Sequence, residues 1–369
     1  MKYSRLFYLL LTFVLFQRCV DPIEPSYDFE TDFILVEGLI LDQPGLSEVR
    51  ITRSEIFLDN YTLVPIEGLR VVSVDEDGNE EEWTRIENTS KYRPAEDFAA
   101  ETGRAYYLRI TTPEGRTIES SPEIMPDPVP IQSAELRFEQ EAYFNDNLNR
   151  FIPAFRLLVD LQDPPDERNY FQWQFRSFSS LEICASCRRS VYRNGECIET
   201  PESRFVNRYD YQCDVACWVE TKSSSLNILS DEFSQGRLIE NIETGRIDFQ
   251  QRGGLLTEVQ QYSTTKAQFD YNSILKNLSD NSGGLNSTLP ANLIGNLKDV
   301  NNSDIDVLGF VGSAAVVTNR IYIDRDTTSG APLPNPNGVP IYEPLIPAPP
   351  RAPCEGGSRS RIRPVGWPE

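Results

Sequence analysis

The chain has 369 residues, more than one core ordinarily serves, so two domains are the default expectation. Hydrophobic residues supply 39% and aromatics 11%, enough to fill ordinary cores, and the formal charge is -21. Removing residues 1–18 takes away Lys2, Arg5 and Arg18 and no acid, so a processed chain is more acidic still. Such a surface repels phosphate backbones, because nucleic-acid affinity comes chiefly from Lys and Arg displacing counterions, and no nucleic-acid partner is expected. Histidine is absent altogether. Its absence removes Ser-His and Cys-His nucleophile pairs, the usual zinc ligand, and the one side chain that normally titrates near neutrality. Carboxylate glycosidases and Ser-Lys enzymes pass this filter, since neither needs imidazole.

In chain order, Lys2 and Arg5 precede an apolar run from Leu6 to Phe16, and Cys19 follows almost at once. A basic flank, a short apolar core and a nearby processing residue make residues 1–18 a secretory signal. The run falls short of the roughly 20 residues that cross a bilayer. A cysteine directly after the apolar core points to cleavage before Cys19 and lipid on its sulfur, although Arg18 stands where such signals usually carry a small residue. Val20–Ser26 contains Asp21, Pro22, Glu24 and Pro25, which rule out a helix interior, so residues 19–31 read as anchor and tether.

From residue 32 to 125 short strands alternate with turn residues. Phe33–Val36 runs into Gly38–Leu41, and Val49 and Ile51 alternate with Arg50 and Thr52. Val71–Val74 leads to Asp77-Gly78, a hairpin signal, with Trp83 on the return. Tyr106, Leu108 and Ile110 alternate with polar neighbours before another short strand at Thr117–Glu119. Strands at this spacing, without helical periods between them, predict an immunoglobulin-like β-sandwich. Pro122, Pro126, Pro128 and Pro130 then form a stiff boundary segment.

Residues 126–330 read as a second, larger β-rich domain. Phe155, Leu157, Val159 and Leu161 share one strand face; Phe171, Trp173 and Phe175 share another, alternating with Gln172 and Gln174, and core packing is the expected role of these aromatics. One helix is predicted, capped by Thr264 or Thr265, with Phe269, Ile274, Leu275 and Leu278 near helical spacing and Asn281–Gly284 ending it. Val307–Gly312 and Val316–Ile323 read as two further strands. Residues 331–369 form a proline-rich tail limited to extended, loop-like chain.

Six cysteines besides Cys19 remain: Cys184, Cys187, Cys197, Cys213, Cys217 and Cys354, five of them in the insertion 181–218. Cys184-x-x-Cys187 with Cys213-x-x-x-Cys217 could share a tetrahedral zinc. The signal and the even count favour three disulfides instead, because exported chains meet an oxidising compartment. Spacing does not choose among the 15 pairings open to six cysteines; a bridge from the cluster to Cys354 would pin the tail to the second domain. The insertion has too few apolar residues to order itself by burial, and cross-links would supply that order.

Other motifs carry less. Asp75–Asn79 has the composition of a calcium loop, but Gly78 falls before Asn79 and strands flank the segment, so a hairpin turn is expected. Asn301–Asp306 reads as a polar loop. Arg252-Gly253-Gly254 lacks the Lys-Ser/Thr of a phosphate loop. No catalytic residue, metal ligand or cofactor is nominated.

Several short motifs occur in a shared order: the start at Cys19, Leu35-Val36-Glu37-Gly38, Tyr107-x-Arg109-Ile110-x-Thr112-Pro113-x-Gly115, Cys217-Trp218 and Asn227-Ile228-Leu229-Ser230. Pro290–Asn296, Val307–Gly312 and the closing Arg363-Pro364-Val365-Gly366-Trp367 follow. In this order the chain resembles the Bacteroidota lipoproteins grouped as domain of unknown function 4249. The resemblance implies an outer-membrane lipoprotein held by lipid at Cys19, on the periplasmic or the surface face, and often encoded beside a TonB-dependent receptor. It implies no activity. The expected function is therefore a non-enzymatic binding or accessory subunit partnered by a TonB-dependent β-barrel; the alternatives are a carboxylate-based carbohydrate-active enzyme and a structural or adhesive surface protein.

Overall fold

The computed structural model describes residues 33–57, 60–165, 168–223, 225–234, 236–280, 293–301, 306–344 and 348–368. The signal, Cys19 and the tether lie outside the described residues, as do Asn281–Gly284 and most of the Asn301–Asp306 loop. The chain is mainly β, with one α-helix, Lys266–Asp280.

Alternation builds a first sandwich. Strand Phe33–Leu41 pairs antiparallel with Glu48–Phe57, placing Val36 opposite Ile51 and turning Ile34, Val36, Ile40, Val49 and Ile51 to one side. Arg70–Asp75, Ala105–Thr111 and Thr117–Ser120 form the facing antiparallel sheet and contribute Val71, Leu108, Ile110 and Ile118 to the same core. Strand Glu80–Arg85 pairs with Arg70–Asp75 and, further along, with Lys91–Arg93, so it ties the two sheets at one corner. Its Trp83 is buried and donates from Nε1 to Ser73 Oγ at 2.9 Å. The expected hairpin is present: Asp75 Oδ1 accepts from the backbone of Asp77 and Asn79, and Gly78 takes φ +84°.

The second sandwich packs two sheets around Leu157, Val159, Leu161, Phe171, Trp173, Phe175 and Val259. One sheet has three strands, Ile131–Asn145, Arg150–Gln162 and Leu238–Asp248. The other is built on Tyr170–Ser180 paired with Gly254–Thr264, which pairs in turn with Asp306–Asp324. The proline-rich boundary segment is fastened to this body, because Val129 N donates to Ser263 Oγ and Val129 O accepts from Gln261 Nε2.

Two expected strands prove to be one. Asp306–Asp324 runs unbroken for 19 residues. Its first half lies parallel to Phe33–Leu41 and its second half antiparallel to Gly254–Thr264, so one strand serves both sandwiches. The glycines do not interrupt it. Gly309 takes φ +107°, and a side chain there would overlap the Val36 carbonyl. Glycine is what lets the backbones approach this closely.

The insertion is held by three disulfides, Cys184–Cys213, Cys187–Cys197 and Cys217–Cys354. The zinc arrangement is thereby overturned: the sulfurs of Cys184, Cys217 and Cys354 lie within 4.8 Å of one another, but each is already covalently paired. Tyr192 and Tyr211 complete a small core among the cysteines. The tail is extended, as expected, yet firmly attached. Asp210 exchanges hydrogen bonds with the Ile341 backbone, Glu343 binds Arg193 at 2.5 Å, and Trp367 packs edge-on against Trp218 and Tyr322.

Candidate functional site

Where the first sandwich meets the outer face of the second, a cleft of about 590 Å³ opens. Its floor follows from the period-two rule. Phe171, Trp173 and Phe175 turn inward to the core, so Gln172, Gln174 and Arg176 turn outward. On the neighbouring strand the inward Val259 and Gln261 leave Glu258, Gln260 and Tyr262 outward. Register sets these residues side by side: Gln172 faces Tyr262, Gln174 faces Gln260, and Arg176 faces Glu258.

The helix closes one end. Thr265 Oγ1 accepts from Gln268 N, the cap anticipated from the sequence. Gln268 Nε2 donates to Asn272 Oδ1 at 3.0 Å, and Asn272 Nδ2 donates to Gln172 Oε1 at 2.9 Å. All three amides are buried. The relay fixes their orientations and ends at the Gln172 amide nitrogen, which donates to nothing among the described residues. The Gln174 side chain likewise makes no hydrogen bond among the described residues. Tyr262 donates to Gln260 Oε1 at 2.8 Å.

Apolar surface lines the opposite wall, from Leu39, Leu41 and Leu46 of the first hairpin together with Phe310. Tyr271 packs on Phe310 with ring centroids 5.1 Å apart. Burial, reinforced by the nearby Glu37 charge, pushes the Tyr271 hydroxyl up to about 12, and burial raises that of Tyr262 as well. Both phenols therefore remain neutral hydrogen-bonding groups at physiological pH.

Charge at the rim is largely paired, although Glu37, which also lines the cleft, makes no ion pair among the described residues. Glu48 is bound by Lys91 and Arg93, whose hydrogen bonds outweigh the cost of burial and hold its carboxyl below the usual range. Glu258 is buried between Arg176 and Arg320, each 2.7 Å away. Arg50, at the mouth, makes no ion pair among the described residues. Amides, neutral phenols, an apolar wall and one unspent guanidinium are equipment for holding a polar solute.

Of the residues nominated from sequence, the six later cysteines are brought together as disulfides and form no part of the cleft. Cys19 lies outside the described residues. The amides of the cleft escaped sequence reasoning. Their signal was present in the polar partners of the strand aromatics, Gln172 and Gln174, but nothing local says that a helix and a distant hairpin cover that face.

The fold and the cleft define a double β-sandwich protein with a polar, partly enclosed groove. The family model described as Domain of unknown function (DUF4249) matches residues 20–320, and the chain belongs to that family. A search of curated proteins returned no match.

Proposed function

We propose that this protein is a non-enzymatic binding subunit, tethered to the outer membrane by lipid on Cys19, that captures a hydroxyl-rich solute, an oligosaccharide, for a TonB-dependent β-barrel transporter. The observation that carries the reading is the amide relay from Gln268 through Asn272 to Gln172. It spends buried hydrogen bonds on fixing Gln172 with its amide nitrogen left to donate, and beside it the unspent Gln174 amide adds a donor and an acceptor, a set that suits vicinal hydroxyl groups. The apolar wall offers a surface for the C–H faces of sugar rings. The enzyme alternative draws less support from the site, since Lys91 and Arg93 hold Glu48 below the usual carboxylate range and leave Glu37 as the one unpaired carboxylate lining the cleft among the described residues, where hydrolysis uses two. The tether and the transporter partner rest on the signal-like start and on the family resemblance.

Affinity isolation of the full-length protein from native membranes tests the partnership. A β-barrel receptor is expected to co-purify, and recovery of the lipoprotein without one would contradict the proposal. Cys19→Ser is expected to move the protein from the membrane to the soluble fraction; retention in the membrane would contradict the tether.

A further inference from the structure

A second cavity, about 320 Å³, lies between the two sheets of the second sandwich, on the side of the Tyr170–Ser180 strand away from the cleft. A sandwich interior is normally apolar. Here the inward row of that strand reads Phe171, Trp173 and Phe175 and then changes to Ser177 and Ser179. The neighbouring strands match the change: Thr221 and Thr257 lie directly across from Ser177 on either side. Thr257 is fully buried, and its hydroxyl has no partner among the described residues. Ser177 and Thr221 also spend no hydrogen bond on the protein among the described residues.

Arg325 closes the end of this hydroxyl row and is 2% exposed. Nε donates to Gly253 O at 3.0 Å, and Nη2 donates to Gly254 O at 2.9 Å, Arg252 O at 3.3 Å and Ser179 Oγ at 3.2 Å. Nη1 donates to nothing, and the guanidinium makes no ion pair among the described residues. Burial draws its pKa down to about 10, still fully charged at neutral pH. A buried cation lacking a counterion is costly, and proteins ordinarily pair it. The charges lining the cavity are Lys222, Arg246 and Arg325 against the single Asp248, in a chain whose overall charge is -21. Arg246 is bound to Glu243, and Asp248 accepts from Tyr143. Lys222 lies 3.9 Å from Glu220, and Arg325 and Asp248 make no ion pair with each other, so the guanidinium has no counterion in contact among the described residues.

We infer that this cavity is an oxyanion site, in which a carboxylate or phosphate group accepts from Arg325 and from the hydroxyls of Ser177, Ser179 and Thr221. Planar guanidinium and convergent hydroxyls suit either oxyanion. The site adjoins the amide cleft, sharing Phe175, Lys222 and Ser223 with its lining, but Ser177, Ser179, Thr221 and Arg325 do not line that cleft.

The test is calorimetric titration of the mature chain, in a chloride-based buffer at fixed ionic strength, with acetate and with inorganic phosphate in turn. Saturable binding of either is expected, and the one that binds identifies the source. Ser177→Ala with Ser179→Ala should weaken that binding about tenfold while the fold, followed by circular dichroism, persists. Arg325→Gln should abolish it; should that variant not fold, the serine pair still decides. Failure of both probes to bind saturably, or binding unchanged in the folded double-serine variant, would overturn the assignment.

Discussion

Asp163 and Asp231 show how single residues register the cost of turning a chain. Both carboxyls are buried beside the connection that follows strand Arg150–Gln162. Burial, and then the neighbouring Asp231, push the Asp163 carboxyl up, and its Oδ1 has no partner among the described residues. For an acid raised in this way the folded state holds the proton longer than the unfolded chain does. The associated stability is present at low pH and is lost as pH climbs from the ordinary carboxylate range through the raised folded value. Asp163→Asn should therefore stabilise the protein at neutral pH by roughly 1 kcal/mol, since the amide oxygen can still accept from Gly236 N. Urea unfolding between pH 4 and 7 checks this, and the advantage of the variant should grow with pH. Gly309 presents a backbone constraint instead. Replacing it with Ala, at φ +107° and against the Val36 carbonyl, should cost about 1–3 kcal/mol, read as a lowered urea midpoint.

At the scale of elements, the strands were legible because most of them are half-buried, and Val49/Ile51, Tyr106/Leu108/Ile110 and Phe171/Trp173/Phe175 print their period directly. The helix was legible through Thr265 and its apolar spacing. The long strand Asp306–Asp324 was not, since Gly312 and the small residues after it look like a break when no partner is known. Gly312 is a site of close approach by the helix residue Gln268, as Gly309 is by the Val36 backbone, and both properties belong to distant segments. The disulfide pairing was equally beyond spacing: Cys217 and Cys354 are 137 residues apart. That bridge clamps the tail where Trp367 meets Trp218. Changing both cysteines to Ala should cost about 2–4 kcal/mol and make residues 331–350 the first sites cut in limited proteolysis.

Across the whole molecule, the cleft has no representation in any one stretch of sequence. It is assembled from the first hairpin, two central strands and the helix, which meet because a strand near the end of the chain returns to pair with the first. Long-range pairing of this kind is set by packing over the entire fold, so local pattern yields the pieces and not their meeting. The central claim is that the assembled groove holds a saccharide and leaves it intact. Equilibrium titration of the mature protein with a panel of neutral oligosaccharides, followed by chromatographic recovery of the sugar, tests that most directly. Saturable binding is predicted for at least one member, weakened about five- to tenfold by Gln172→Ala or Gln174→Ala, with the sugar recovered uncut. Absence of binding across the panel, affinity indifferent to both glutamines, or a shortened sugar would contradict the account.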